Sequence, residues 1–404
     1  MNLRDDARSL AGDLTRLRRD LHGVPELGLD LPRTQEAVLD ALDGLPLEVS
    51  TGRGLSSVTA VLRGSRPGPT VLLRGDMDAL PVTERTGLDY AAAADRMHAC
   101  GHDLHTTMLA GSARLLSAHR DRLAGDVLFM FQPGEEGYDG AGQMLAEGVL
   151  EAAGERPVAA YALHVTSAFW PSGVFSARGG PTMAASDRLL VTVRGAGGHG
   201  SAPHRAKDPV PVACEMVTSL QTWITRTFDV FDPVVLTVGS LHAGTQSNII
   251  PDTAEFAATV RSFSAEAREQ LRTGTVRVCE GIAAAYGMEV EARFVDQYPV
   301  TVNDDAETAF AADTVREAIG EEHFAPMEHP LLGAEDFSRV IEEVPGAMVF
   351  LGATPPDRDP QTAPYNHSPL AAFDEAVLPD GAALYAELAV RRLAAAAADA
   401  PAAA

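Results

Sequence analysis

The chain has 404 residues, of which 46% are hydrophobic and 22% are charged, an ordinary globular composition. At roughly 150 residues per domain this length predicts two or three domains, and the composition excludes a disordered chain, a collagen-like fibre and a small disulfide-rich protein. The 32 basic and 56 acidic side chains give a net charge of −24, which disfavours nucleic acid and anionic membranes as partners.

The N-terminal part of the chain predicts helices alternating with apolar strands. Leucines at helical spacing predict a helix over residues 5–22. The elements expected after it are strands at 58–64 and 70–78, a helix at 103–118, a strand at 126–133, a helix near 141–150 and a strand at 161–165. Mostly apolar strands that alternate with helices are typical of an α/β sheet covered on both faces.

The pattern changes near residue 183. The elements expected there are a strand at 187–195, a helix opened by Asp208 and Pro209, strands near 233–242 and 252–262, a helix at 264–287 and a strand at 288–297. An aspartate followed by proline is a common helix start, with the aspartate as the cap. The order β-α-β-β-α-β is that of the split βαβ unit of ferredoxin-like domains.

After Tyr298 the α/β pattern resumes. Helices are expected at 305–320 and 377–395, with a short helix after Glu335 and a strand at 347–353. The simplest organisation is a mixed-sheet α/β catalytic domain formed by residues 1–182 and 297–404, interrupted by an inserted α+β ferredoxin-like lid or dimerisation domain at 183–296. The alanine-rich C-terminal tail is of low complexity and needs no functional explanation.

Cysteine usage and the N-terminal residues predict a cytoplasmic location. Cys100, Cys214 and Cys279 are an odd number of cysteines and lie far apart, so a disulfide framework is not expected and a reducing compartment fits better. The N-terminal residues are charged and lack the apolar segment of a signal peptide. Apolar runs stay well short of the ~20 residues that span a bilayer, so no membrane partner is expected.

Two segments collect acids, imidazoles and a thiol. In LRGDMDALP, Asp76 and Asp78 are two residues apart and would share one side of a strand, although a solvated acidic strand end is the alternative. In MHACGHDLHT, Cys100 and His102 offer the thiolate and imidazole that suit Zn²⁺ and neighbouring metals. A buried thiol beside helix-capping residues is the alternative there.

The other metal-binding side chains follow or end apolar strands, or lie in loops. Glu135 and Glu136 come after the strand in FQPGEEG, and adjacent acids point in different directions, so one can bind a metal while its neighbour moves a proton. His164 ends an apolar strand, and His367 lies in a proline-bounded loop. With Cys100 and His102 these groups suffice for two metals that share one bridging ligand.

The inserted segment contains polar residues suited to substrate contact. His199 lies among glycines, as an oxyanion donor on a moving lid would, although an ordinary glycine-rich turn is the alternative. Asn248 and Arg261 are expected on neighbouring strands. The fork of Arg261 suits a substrate carboxylate, and a surface position in the sheet is the alternative.

The motifs together resemble one family. RRDLHGVPELG, RGDMDALP, MHACGHDLHT, FQPGEEG, LHV, GGHGSAPH, SNIIPD, GAEDFS and NHSP follow the order found in the bacterial N-acyl-amino-acid amidohydrolases. That group includes aminoacylases, hippurate hydrolases and plant auxin-conjugate hydrolases, and it belongs to the dinuclear metallo-aminopeptidase and carboxypeptidase clan. The resemblance covers residues 14–382 and implies a catalytic α/β domain with a ferredoxin-like lid.

The resemblance also implies roles by position. Two divalent metal ions (Zn, Mn, Co or Ni) would be held by Cys100 as the bridging ligand, by His102 and His164 on one side and by Glu136 and His367 on the other. Glu135 would be the general base and acid, Asp78 would orient a ligand or the base, and Asp76 stands where most of the clan has a metal-binding histidine. His199, Asn248 and Arg261 match lid positions that contact substrate.

The implied activity is hydrolysis of N-acyl amino acids, small-molecule amides, to a carboxylic acid and a free amino acid. A homodimer or a dimer of dimers through the inserted domain is expected, because such dimers are common in the clan. The alternatives are a metallo-dipeptidase or carboxypeptidase on the same site, a metal-dependent binding or scaffold protein, and a hydrolase that uses Cys100 as nucleophile.

Overall fold

The computed structural model describes residues 2–93 and 95–399. The helices are α1 Leu3–Ser9, α2 Ala11–His22, α3 Pro32–Leu42, α4 His102–Ala118, α5 Gly140–Ala146, α6 Pro209–Thr227, α7 Ala265–Ala285, α8 Asp305–Ala318, α9 Ser338–Glu343 and α10 Leu378–Asp399. The strands are β1 Leu47–Thr51, β2 Val58–Leu62, β3 Thr70–Asp76, β4 Asp126–Gln132, β5 Ala159–Pro171, β6 Phe175–Ala177, β7 Gly180–Met183, β8 Ala185–Arg194, β9 Gly198–His199, β10 Val235–Ala243, β11 Ile249–Ile250, β12 Thr253–Ser262, β13 Glu289–Tyr298, β14 Thr301–Asn303, β15 Phe324–Pro326 and β16 Gly346–Thr354.

The chain divides into two compact units. The first unit runs through Thr182 and continues with Val302–His329 and with the chain from Asp336 onward. The second unit comprises Met183–Thr301 and Pro330–Glu335. Each unit has its own hydrophobic core.

The first unit contains an eight-stranded mixed sheet in the order β1-β2-β4-β3-β5-β16-β6-β15. Its four central strands, β4, β3, β5 and β16, are parallel to one another. Every residue of β3 and of β16 is buried, as expected for parallel strands covered on both faces. The predicted mixed-sheet α/β fold class is therefore confirmed.

The second unit contains a four-stranded antiparallel sheet in the order β10-β12-β8-β13. Burial alternates along β12, so one face of the sheet meets the core that α6 and α7 share with it. The helix α6 begins as predicted, with Asp208 accepting the N–H of Val210 and proline in the first turn. The unit has the predicted β-α-β-β-α-β order, while its role as a lid or dimerisation domain stays a prediction.

Several elements of the first unit differ from the sequence prediction. The helix expected over residues 5–22 is two helices, α1 and α2, because Leu10 ends the first by bonding its N–H to Ala7 O, three residues back. Leucine spacing alone does not reveal such a break. The helix α3 and the strand β1 were not predicted, although proline at the start of α3 is a usual helix signal.

The cysteines are free thiols, with Cys100 and Cys279 buried and Cys214 exposed. The expectation of no disulfide framework is confirmed. None of the helices in the described part of the chain combines the length and the apolar character that a membrane span requires.

A buried charge network joins α2 to the first turn of α4. His22 faces a carboxylate with each ring nitrogen, Asp103 at 2.8 Å from Nδ1 and Glu84 at 3.1 Å from Nε2. Arg18 Nε lies 2.8 Å from the same Asp103 oxygen. Burial alone lowers the pKa of His22, but hydrogen bonds with Asp103 and Glu84 outweigh it and raise the pKa above its ordinary value.

We expect this network to make stability depend on pH. Because its folded-state pKa is raised, protonated His22 stabilises the fold fully below about pH 6.5, and this contribution is lost as the pH rises through the folded-state pKa. The free energy of unfolding of the wild type should fall relative to that of His22→Gln across this window, by at most about 1.4 kcal/mol per pH unit. Urea unfolding at several pH values measures the difference.

The exposed Asp20 in the same helix supplies a matched control. Asp20→Asn should keep a constant difference from the wild type over the same pH range. A difference between the wild type and His22→Gln that is equally constant would contradict the assigned role of His22.

Candidate metal centre

The predicted ligands gather at one edge of the sheet in the first unit. The strand β3 ends at Asp76, and β4 ends shortly before Glu135. The pairing of β3 with β5 runs to Arg74 and Ala162, two residues before Asp76 and His164. Open α/β sheets form their sites at this edge, beyond the carboxyl ends of the parallel strands.

A glycine turn fixes the two ligand candidates at the start of α4. Gly101 separates Cys100 from His102 and has φ +88°, in the left-handed region that glycine adopts without strain. A Cβ at this position would lie 2.3 Å from Val165 Cγ2. Glycine is therefore required here, and the turn brings the thiol and the imidazole to the same end of the helix.

Two groups of three side chains share the thiol of Cys100. Its Sγ lies 3.5 Å from His164 Nε2 and 3.3 Å from His367 Nε2. The same His367 nitrogen lies 3.1 Å from Glu136 Oε1. The two groups, each with ligand atoms within 4.8 Å of one another, are Cys100, His102, His164 and Cys100, Glu136, His367. The structure thus brings together all five residues predicted as metal ligands.

The donor atoms of this cluster fit divalent transition metals. The two ring nitrogens of buried His102 make no hydrogen bond of normal geometry within the described residues. Buried polar atoms without partners are costly, and a bound cation would satisfy them. Thiolate, imidazole and carboxylate together suit Zn²⁺ and its transition-metal neighbours.

The loop residue His367 is held against two acidic groups. Its backbone has φ +72°, and its N–H donates to Ala99 O at 2.8 Å. Hydrogen bonds with Cys100 and Glu136 raise the pKa of His367 to about 10. A metal ion would take the place of this proton, since imidazole binds metals only in its neutral form.

Asp78 fixes the backbone of the two neighbouring glutamates. Its two carboxylate oxygens accept the N–H groups of Glu135 at 3.0 Å and of Glu136 at 3.1 Å. Glu135 is 6% exposed, and its carboxylate lies close to the carboxylate of Glu136 and to the imidazole of His102. The contacts of Asp78 support the predicted orienting role, and the position of Glu135 supports its role as acid and base.

Both carboxylate oxygens of Asp76 already accept hydrogen bonds from side chains. His105 accepts the N–H of Val165 at Nε2 (2.7 Å), so its proton is on Nδ1, which donates to Asp76 at 2.6 Å. The other oxygen of Asp76 accepts from Arg74 at 2.6 Å and lies 3.6 Å from His102 Nε2. These contacts favour a role for Asp76 in orienting His102, as outer carboxylates do beside metal-bound imidazoles.

Arg74 is the buried cation behind this arrangement. It donates to Asp76, to Gln132 at 2.8 Å and to Asp336 at 2.9 Å, and it has no exposed surface. Asp336 also accepts the N–H of Ala141 in the first turn of α5. Although burial by itself raises the pKa of Asp76, the charge of Arg74 outweighs it and holds that pKa well below its ordinary value.

Sequence reasoning missed the residues that tie these segments together. Asn366 donates to Cys100 O at 3.1 Å and to Val165 O at 3.0 Å, and its own oxygen accepts the N–H of Ser167 at 2.9 Å. Asn366 thereby joins the turn at Cys100, the strand β5 and the loop that carries His367. The only available signal was its position beside His367 in the motif that also supplies that ligand.

In the second unit, two of the three predicted substrate contacts lie close together. His199 ends β9, is exposed, and accepts the N–H of Ser201 at Nδ1. Asn248 lies in the loop before β11, and its carbonyl accepts the N–H of Gly200 at 2.8 Å. The pairing of β9 with β11 therefore brings Asn248 next to His199.

Arg261 lies elsewhere in the same unit, on β12. The expectation that Asn248 and Arg261 occupy neighbouring strands was wrong, because the glycine-containing segment before Asn248 leaves the sheet before that residue. The guanidinium of Arg261 donates to the neutral oxygens of Thr259 at 2.8 Å and Val260 at 3.0 Å. Neither of these two contacts supplies a negative charge, so the guanidinium keeps the charge that binding of an anion would require.

Comparison with known proteins decides the family. The family model described as Peptidase family M20/M25/M40 matches residues 72–391, which span every residue of the cluster described above. The chain belongs to this family. The resemblance predicted from the motifs is thus confirmed, and so is the enzyme class, a metal-dependent hydrolase.

The proteins similar to this chain are named for different hydrolase activities. The chain is 38% identical to thermostable carboxypeptidase 1 of Saccharolobus solfataricus, over 96% of this chain and 98% of that protein. It is 35% identical to an N-acetylcysteine deacetylase of Bacillus subtilis, over 93% and 96%. A Bacillus subtilis protein described as a dinuclear metal binding peptidase from the M20 family has a TM-score of 0.82 at 32% identity, over 96% and 99%.

We expect removal of the buried cation to destabilise this M20-family enzyme strongly. In Arg74→Met, Asp76 and Asp336 would remain buried without their counter-charge, which should lower the free energy of unfolding by about 3–5 kcal/mol. Urea unfolding of the full chain measures the change.

Arg63 provides the matched control, because it also pairs with two carboxylates, Glu48 and Asp126, but is 39% exposed in its side chain. Arg63→Met should cost about 0–1 kcal/mol. Equal losses for the two variants would mean that burial of Arg74 does not matter.

Proposed function

We propose that this enzyme hydrolyses the amide bond of N-acyl amino acids and that it holds two divalent metal ions to do so. The observation that carries the proposal is the shared thiol of Cys100 between two ligand groups, with Glu135 close beside them. Cys100, His102 and His164 would hold one ion, and Cys100, Glu136 and His367 the other. A structural site would normally be closed and would need no additional carboxylate beside its ligands to carry a proton.

The reaction follows from the chemistry of these groups. Divalent ions held by these residues would supply Lewis-acid chemistry, polarising a carbonyl and lowering the pKa of water toward ~7. Glu135 takes the proton of the attacking water and later donates it to the nitrogen of the leaving amino acid. Asp78 holds the backbone of Glu135 through the reaction. The products are a carboxylic acid and a free amino acid.

Residues of the second unit are proposed to bind the substrate. Arg261 and Asn248 would bind the α-carboxylate, and the hydrogen bonds of Arg261 to neutral oxygens support this assignment. His199 would stabilise the oxyanion that develops on the scissile carbonyl. A lid role for the second unit and a homodimer or dimer of dimers through it also stay proposals.

A carboxypeptidase or dipeptidase is the second candidate, favoured by the identity to the carboxypeptidase of Saccharolobus solfataricus. The deacetylase relative favours the N-acyl substrate. A hydrolase with Cys100 as nucleophile is disfavoured, because it leaves Glu136 and His367 without a role. A scaffold protein is disfavoured by the position of Glu135, since a structural metal site needs no acid–base group beside its ligands.

The native metal and the cellular location stay open to experiment. Zn²⁺, Mn²⁺, Co²⁺ and Ni²⁺ all accept this mixture of ligands, and availability often decides between them. A cytoplasmic location is supported by the free thiols and by the proposed use of the Cys100 thiolate, which a reducing compartment preserves.

We expect amine release from N-acetyl, N-benzoyl and long-chain N-acyl amino acids to disappear after EDTA treatment and to return with Mn²⁺ or Zn²⁺, because the ions activate the water. Dipeptides and N-blocked peptides are assayed in parallel. Faster cleavage of peptides than of every N-acyl amino acid would favour the second candidate. Full activity of the stripped protein would contradict the metal mechanism.

We expect substitutions of the two adjacent glutamates to affect catalysis and metal binding separately. Glu135→Gln should keep both metal ions but lose at least ~10²-fold in kcat, because the proton carrier is removed. Glu136→Gln should bind less metal after dialysis, because a ligand is removed. Elemental analysis and turnover measure the two effects, and exposed Glu155→Gln is the control. Near wild-type kcat in Glu135→Gln would refute its role.

A further inference from the structure

Two aromatic side chains of the first unit remain exposed beside the candidate metal centre. Phe169 is 43% exposed and Tyr365 is 40% exposed. Their ring centroids lie 4.6 Å apart, with the planes tilted by 41°. Large aromatic groups are normally covered in a folded protein, so an exposed packed pair indicates a surface that meets an apolar ligand.

The pair is connected to the centre on both sides. Tyr365 lies two residues before His367, in the loop that Asn366 anchors to the carbonyl of Cys100. On the other side, Phe169 ends a series of rings that starts at His164 and continues through Phe350 and Trp170, with successive centroids 5.7, 5.9 and 6.2 Å apart. The exposed rings thus extend outward from two predicted metal ligands.

The backbone holds Phe169 in an unfavourable conformation. Its φ is +74°, in the left-handed region that bulky side chains rarely adopt. Its N–H donates to Pro360 O at 2.8 Å, and its carbonyl accepts from Gln361 at 3.3 Å. Phe169 lies where the pairing of β5 with β16 is irregular, between Thr166 and Pro171. Bulges and strained residues are concentrated at functional sites, and this one presents the ring of Phe169 to Tyr365.

The apolar surface of the pair decides which part of the substrate it would contact. An uncharged ring or alkyl chain would gain from contact with Phe169 and Tyr365, whereas a carboxylate would lose water there without gaining a counter-charge. In an N-acyl amino acid the carboxylate is on the amino acid, so the uncharged end of the substrate is the acyl group.

We propose that Phe169 and Tyr365 form the subsite for the acyl group and select aromatic or other large apolar acyl groups over acetyl. This inference rests on the proposed function, because it assigns a part of the same substrate to named residues. Phe169 would supply apolar surface at the edge of the site, and Tyr365 would supply surface next to His367. The two residues would determine specificity and would take no part in proton transfer.

The test compares N-benzoyl and N-acetyl derivatives of one amino acid on the full-length, metal-loaded enzyme. Phe169→Gly removes the ring and suits the positive φ, so it removes the contact without added backbone strain. We expect the ratio of kcat/KM for the benzoyl over the acetyl substrate to fall at least ~10-fold. Phe169→Leu should recover part of the ratio. The Ki of benzoate as a product inhibitor should rise in Phe169→Gly more than that of acetate.

Two further variants separate the ring of Tyr365 from its hydroxyl. Tyr365→Leu should also lower the benzoyl to acetyl ratio, whereas Tyr365→Phe should keep it, since the contact is apolar. Tyr286→Ala, which removes an exposed aromatic group of the second unit, should keep the wild-type ratio. Thermal unfolding by circular dichroism establishes that each variant is folded.

The possible failures are distinguishable. If the wild type cleaves both substrates but Phe169→Gly and Tyr365→Leu keep the ratio within ~2-fold, the acyl subsite is refuted and the proposed function stands. If the metal-loaded wild type cleaves neither N-acyl amino acid, the proposed function itself fails, and the subsite fails with it.

Discussion

The buried guanidinium of Arg74 is the group on which the arrangement of the candidate centre depends most. Its charge has no access to water, so anions inside the protein must meet it. Asp76 and Asp336 do so, from positions far apart in the chain. Asp76 then accepts a hydrogen bond from His105, and Asp336 accepts one from the backbone of Ala141. One cation therefore holds the end of β3 against the first turns of α4 and α5.

Hydrogen bonds also distinguish the side chains that support the site from a neighbour that would bind metal. Asp76 and Asp78 have donors for both of their carboxylate oxygens, from side chains in one case and from backbone in the other. The two ring nitrogens of His102, by contrast, make no hydrogen bond of normal geometry within the described residues. The hydrogen bonds therefore separate the two orienting carboxylates from the ligand candidate beside them.

The sequence correctly predicted the features that depend on residues close together in the chain. The apolar strands and the start of α4 follow from short patterns, and the Gly101 turn keeps Cys100 and His102 together within three positions. Alternation, however, predicted Asp76 and Asp78 on one side of a strand, whereas β3 ends at Asp76 and Asp78 holds the loop of the two glutamates. The contact of Arg74 with Asp336 spans 262 positions, and no local pattern specifies such a pair.

Backbone strain in the described residues is concentrated around the same centre. Among the described residues, the non-glycine residues with a positive φ angle are Asp139, Phe169 and His367. Such conformations cost on the order of 1–3 kcal/mol each and persist only where the surroundings hold them. The carbonyl of Ala99 holds the N–H of His367, and that of Pro360 holds the N–H of Phe169. At both positions a hydrogen bond from a distant part of the chain fixes the backbone, which sets the ring of His367 against Cys100 and the ring of Phe169 against Tyr365.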